Sequence, residues 1–137
     1  IEMKFNETTI RVLVRRDYGE CFDFYTEKLG LTVVWGDRNG PYTSFAVSEN
    51  TTPCFAIFTG EAMPMFRGYK QPNVTTQPDT IVAVIPTLDL DADYSRLKKA
   101  GVIFLGEPQY IEAWGMRCTY FRDPEGNLFE LNDAGNV

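Results

Sequence analysis

Glu130 lies in the stretch FRDPEGNLFEL (residues 121–131), a carboxylate in an otherwise apolar strand that returns from a tight turn. A carboxylate so placed can ligate a metal, act as a general base or pair with a cation. Arg11, in TIRVLVR at residues 9–15, is a cation on the polar side of an alternating segment. The chain has no histidine. That removes the commonest metal ligand and the usual base near neutral pH, and with it every Ser-His-Asp or Cys-His nucleophile pair. Cys21, Cys54 and Cys118 stand far apart in no metal-binding spacing. An odd count without a secretory signal is the pattern of reduced thiols and predicts a cytoplasmic protein. For Cys118 an inert thiol is expected instead of a nucleophile.

Two similar sets of elements must position these groups. In TIRVLVR, Ile10, Val12 and Val14 share one face and Thr9, Arg11 and Leu13 the other, which predicts a half-buried strand, expected to be central in its sheet. Asp17, with Glu20 three residues on, marks a helix start. Cys21, Phe22, Tyr25 and Leu29 form its apolar stripe, and Gly30 ends it. LTVVWG, PYTSFAV and PCFAIF read as strands, with DRNG as a hairpin turn. Residues 60–79 carry Pro64, Pro72 and Pro78 among Met63, Met65, Phe66 and Tyr69, and read as a short helix or irregular loop followed by a linker. The pattern then recurs. TIVAVI is a strand, Asp89 caps a helix striped by Leu90, Tyr94 and Leu97, and Lys98 and Lys99 complement its C-terminal dipole before Gly101. VIFLG, GMRCTYFR and LFEL read as the remaining strands. The expected fold is α+β: two βαβββ repeats forming an incomplete barrel around a shared cleft. A single domain would hold repeat one at about 8–59, a linker or lid at 60–79, and repeat two at about 80–132.

A net charge of −6 excludes the basic footprint that nucleic acid or an anionic membrane surface requires. In the DPEGN turn, Asp123 can accept bonds from the turn backbone, Pro124 presets a dihedral and Gly126 can take positive φ. Beyond it, Leu128 and Glu130 share one face and Phe129 and Leu131 the other. If Phe129 and Leu131 lie under the helix, Glu130 faces the concavity.

A duplicated βαβββ unit, with DFYTEKLGL closing the first helix and WGMRCTYFRDPEGNLFEL at the end, resembles the vicinal oxygen chelate superfamily. That group holds glyoxalase I, extradiol dioxygenases, and fosfomycin- and bleomycin-resistance proteins. In its metal-dependent members a glutamate at the position of Glu130 is a metal ligand, joined by first-strand residues of each repeat, commonly histidines. Those positions here are Thr9 and Thr80, beside Ile10 and Ile81, and neutral hydroxyls and alkyl groups make no transition-metal site. The resemblance thus implies the fold, while the residues imply no metal and no cofactor. An Arg11–Glu130 ion pair is expected in the space a metal would fill. In drug-binding members aromatics stack on flat ligands; Trp35, Tyr42, Phe58, Phe66 and Trp114 are the candidates here, with core packing as the competing role. The resulting expectation is metal-independent binding or sequestration of a small organic molecule by a homodimer of bleomycin-resistance type. The alternatives are a glyoxalase I-like lyase or isomerase whose metal is held by Glu130 with Asp79 or Glu49, a metal-free enzyme with Glu130 as catalytic base, and a partner-binding domain. Residues 60–79 would serve as lid, dimer contact or linker.

Overall fold

The carboxylate of Asp17 begins the first helix by accepting a hydrogen bond from Glu20 N at 2.9 Å. The structure, a computed structural model, describes residues 9–72, 79 and 81–134. Strand β1 (Ile10–Val14) precedes helix α1 (Tyr18–Asp23), which widens into a π-helical stretch over Phe24–Lys28. Gly30, at φ +76, turns the chain out of it, as the sequence requires of a residue free to adopt the left-handed region. Strands β2 (Thr32–Trp35), β3 (Tyr42–Ala46) and β4 (Phe55–Thr59) follow, then a 3₁₀ helix over Gly60–Met65. The sheet order is β1-β4-β3-β2, with β1 and β4 parallel. β1 therefore ends its sheet instead of lying centrally. The three strands after the helix fold back as hairpins, and the last lands beside β1, leaving β1 one neighbour in this sheet.

The second set repeats this arrangement. β5 (Val82–Pro86) leads to α2 (Leu90–Lys99), then β6 (Gln109–Ile111), β7 (Met116–Arg122) and β8 (Leu128–Asn132). Asp89 caps α2 through Ala92 N at 3.1 Å. The order is β5-β8-β7-β6, again with first and last strands parallel. The architecture is α+β, two βαβββ repeats whose four-stranded sheets are not closed into a barrel. The chain divides into two compact units, Ile1–Asn73 and Val74–Val137. No helix among the described residues is long and apolar enough to cross a membrane.

Each sheet buries one face beneath its helix. In the first unit the Tyr25 ring, fully buried, lies 5.5 Å from Phe45 and 4.8 Å from Phe55. In the second, Tyr94 of α2 meets Phe104, Phe104 meets Phe121, and Phe121 stacks on Phe129 at 5.1 Å. VIFLG is not the expected strand. Phe104 makes one isolated bridge to Phe121, and the segment spends its apolar side chains on the core, with Val102 buried. The strand is instead Gln109–Ile111, too short and too polar to stand out, paired with β7 across a turn in which Gly115 has φ +64.

The DPEGN turn holds as its residue types demand. Asp123 Oδ1 accepts from Glu125 N at 3.0 Å and Asn127 N at 2.8 Å, and Oδ2 accepts from Asn127 Nδ2 at 2.9 Å. Gly126 takes φ +89. This turn fixes the β7–β8 register, pairing Phe121 with Phe129 and Tyr120 with Glu130. Phe129 and Leu131 therefore face the helix and Glu130 the opposite side, since neighbouring residues of a strand alternate between faces.

Candidate functional site

The face of the first sheet opposite its helix is built from two transverse rows, because residues paired across strands share a face. One row runs Leu13, Phe58, Tyr42 and the next Arg11, Ala56, Ser44, Trp35. Simple alternation from Val33, which pairs with buried Phe45, would aim Trp35 at the helix. A bulge between Val33 and Trp35 shifts the register and turns Trp35 to the face of Tyr42, as an extra residue in one strand does. Trp35 and Tyr42 rings meet at 6.0 Å, Tyr42 and Phe58 at 5.8 Å, and Phe58 and Phe66 at 6.3 Å. Arg11 lies 5.1 Å from the Tyr42 ring centroid and 5.9 Å from that of Phe58. Four of the five expected aromatics and the expected cation thus form one continuous cluster within the first unit.

The cluster is graded from core to rim. Phe58 is 6% exposed and anchors it, while Trp35 is 64% and Phe66 41% exposed. Phe66 arrives directly after the 3₁₀ helix, so the start of the Met-rich segment contributes to this face. Tyr69 further along accepts a hydrogen bond from Arg15 Nη2 at 3.1 Å. Residues 73–78 of the expected linker lie outside the described residues. Ala56 and Ser44, which sequence reading did not single out, are the small residues between Arg11 and Trp35.

Glu130 has a different environment in the second unit. It is 5% exposed, with Oε1 accepting from Tyr120 Oη at 2.5 Å and Oε2 from Asn132 Nδ2 at 2.7 Å. Both oxygens are engaged by side chains of its own sheet, as a buried carboxylate requires. Tyr120 could have been found from sequence, since it and Glu130 are equidistant from the DPEGN turn. Val84 of β5 pairs with Glu130 on the other side. The two units thus place Leu13-Phe58-Tyr42 and Val84-Glu130-Tyr120 at matching positions. A tyrosine recurs, and the carboxylate of one repeat is a phenyl ring in the other. The expected Arg11–Glu130 pair would join the two units; within its own unit each of the two has the contacts just given.

The hydrogen bond to Glu130, and then burial, push the Tyr120 phenol up to about 12. Folded Tyr120 keeps its proton where the unfolded chain, near the ordinary value of 10.0, has lost it. Stability contributed by this contact is thus complete below about pH 10 and is lost as pH rises toward about 12. An ultraviolet tyrosinate titration of Tyr120→Phe should lack the most basic step of the wild type. Persistence of that step would remove the assignment.

Within its own unit, the residues around Glu130 do not fit a metal site. Tyr120, Asn132 and Val84 supply a phenol, an amide and an alkyl group, a poor donor set for a transition metal. Asp79 is committed to Arg122 through two bonds of 2.8 Å, and Glu49 is exposed in the turn after β3. Thr9 is exposed, and Thr80 lies outside the described residues. Among the described residues no three His, Cys, Asp or Glu side chains gather so as to hold a metal ion.

Trp114 falls in the turn before β7, with its N–H bonded to Ile111 O at 3.1 Å. It does not begin the strand, because β7 starts at Met116. Its side chain is 58% exposed and, with Gln109, Ile111, Cys118 and Tyr120, lines a cavity of about 280 Å³. Burial, and then the nearby Glu130 charge, raise the Cys118 thiol, the opposite of what a reactive thiolate needs.

The repeated βαβββ sheets, each leaving one face for a site, define the class of protein. The chain belongs to the Glyoxalase/Bleomycin resistance protein/Dioxygenase superfamily, whose family model matches residues 4–131. It is 27% identical over 123 residues to the uncharacterized protein YraH of Bacillus subtilis, covering 89% of this chain and 93% of YraH. In structure it is similar to TnmS3, an antibiotic binding protein from a Streptomyces species, with a TM-score of 0.66, 23% identity, and coverage of 96% of this chain and 98% of that one. It is also similar to the fosfomycin resistance protein FosX of Listeria monocytogenes, with a TM-score of 0.63, 19% identity, and coverage of 95% and 93%. At these identities the two structural likenesses are likenesses of fold.

Proposed function

We propose that this protein binds and sequesters a planar small organic molecule, without a metal, on the aromatic face of its first sheet. The observation that carries this reading is the continuous set of Trp35, Tyr42, Phe58 and Phe66 rings, anchored at Phe58 and opening outward at Trp35. Aromatic side chains give broad contact to flat ligands at low cost in rotamer entropy. A core needs no such gradient of exposure. Met65, 70% exposed beside Phe66, adds a side chain that adapts to an irregular ligand edge. The fold-mate TnmS3 is itself an antibiotic binding protein, which supports small-molecule binding as a use of this fold. Both Glu130 oxygens accept hydrogen bonds from Tyr120 and Asn132, which supports a reading of equilibrium binding with the ligand chemically unchanged.

The two tryptophans make the reading testable. In a Trp114→Phe variant Trp35 is the remaining indole. Its fluorescence should be quenched saturably by 2-naphthoate or a larger planar polycycle. Further replacement of Trp35 by alanine, followed by calorimetry, should weaken binding about tenfold, the usual scale for one stacked ring. Binding that survives Trp35→Ala undiminished would remove the site.

A further inference from the structure

The geometry points to Arg11 as an anion-recognising residue of this face, so that the ligand is a planar aromatic carrying a carboxylate, phenolate or similar anionic group. This rests on the reading of the face as a binding surface and names the chemistry it selects.

Three arginines of this chain are each gripped by one carboxylate. Arg38 grips Asp23 with two bonds of 2.9 Å, Arg117 grips Asp91 at 2.9 and 3.0 Å, and Arg122 grips Asp79. Each of those forks is filled by one carboxylate. Arg11 is held differently. Its guanidinium carbon lies over the neighbouring Tyr42 and Phe58 rings, 5.1 and 5.9 Å from their centroids, and its one hydrogen bond among the described residues is a long one, from Nε to Tyr42 Oη at 3.4 Å. Among the described residues of the first unit, no carboxylate pairs with it. The rings hold the cation on this face through cation–π attraction, which takes up none of the Nη donors, and that Nη edge matches a carboxylate in fork geometry.

The row in which Arg11 stands supplies the rest. Ala56 and Ser44 lie between it and Trp35. Three strand spacings separate the ends of that row, about 14 Å along the sheet. Ala56 is fully buried, so half-buried Ser44 is the part of the floor that reaches the surface, with Tyr42 the raised flank and Arg11 and Trp35 the ends. The Ser44 hydroxyl offers a second polar contact along the floor. A ring system stacked beside Tyr42 and Trp35 presents an acidic substituent to Arg11. Because the whole chain carries a net charge of −6, its overall field repels anions, and selection for one must come from a local cation such as this.

Paired probes of the same shape separate the charge from the ring. In calorimetry or ligand-observed NMR at low salt, wild-type protein should bind 2-naphthoate about tenfold more tightly than 2-naphthamide, with the preference shrinking as salt is added. Arg11→Gln should bind naphthoate and naphthamide equally, the preference being lost, with an unchanged circular-dichroism spectrum and thermal midpoint showing that the variant is folded. Arg11→Lys should keep part of the preference, since a point charge replaces a fork. Equal binding of the two probes by wild type overturns the inference while leaving the aromatic site standing, as does a preference that survives in Arg11→Gln. Binding of neither probe, or binding indifferent to Trp35→Ala, overturns the inference and the proposed function together.

Discussion

Glu130→Ala is expected to lower the stability of the protein by about 2–4 kcal/mol, read as a drop in the urea midpoint at unchanged slope. The substitution removes the acceptor of two hydrogen bonds, from Tyr120 Oη and from Asn132 Nδ2. Asn132 is 3% exposed, so its amide is left without a partner and without ready access to water. A buried donor stranded in this way costs more than the bond itself was worth. Glu130→Gln keeps an acceptor for one partner and should cost roughly half as much. Tyr120→Phe and Asn132→Ala should each be partly redundant with Glu130→Ala, a non-additivity expected of residues in one network. A Glu130→Ala variant as stable as wild type, to within about 0.5 kcal/mol, would show that the carboxylate is not a structural node and would revive it as a catalytic candidate.

Tyr42→Ala is expected to weaken binding of 2-naphthoate by about thirtyfold or more, the largest single loss on the proposed face. Tyr42 is the common neighbour of the cluster, touching Trp35 and Phe58 through its ring and Arg11 through both ring and hydroxyl. Its removal takes away a stacking surface together with the ring and hydroxyl that hold the Arg11 guanidinium on this face. Tyr42→Phe keeps the ring and loses only the long bond to Arg11, so it should bind within about threefold of wild type. Calorimetry on the two variants checks both values. Equal losses in Tyr42→Ala and Tyr42→Phe would mean that the hydroxyl, and not the ring, makes the site.

Much of this arrangement was legible in the sequence. Asp17 and Asp89 announce both helices, the Gly30 and Gly101 exits mark the duplication, and DPEGN fixes the register that turns Glu130 away from the helix. The alternation of TIRVLVR put Arg11 on the polar side of β1. The rest depended on tertiary detail. The bulge that aims Trp35 at Tyr42 has no glycine or proline to mark it. β6 is a three-residue strand beside a more apolar segment that does not form one. The central position expected for β1 failed because the repeat closes by laying β4 next to it. For Glu130 the resemblance drew attention to absent metal ligands, while the residues that hold it, Tyr120 and Asn132, were overlooked on its own and the neighbouring strand.

The most direct test of ligand binding on the first sheet is chemical-shift mapping of isotopically labelled protein titrated with 2-naphthoate. The expected result is movement of the Trp35 indole N–H and of the amides of Tyr42, Ser44 and Ala56, with the ligand recovered unchanged. Shifts confined to Trp114, Cys118 and Tyr120 around the second unit's cavity, or conversion of the ligand during the titration, would contradict it.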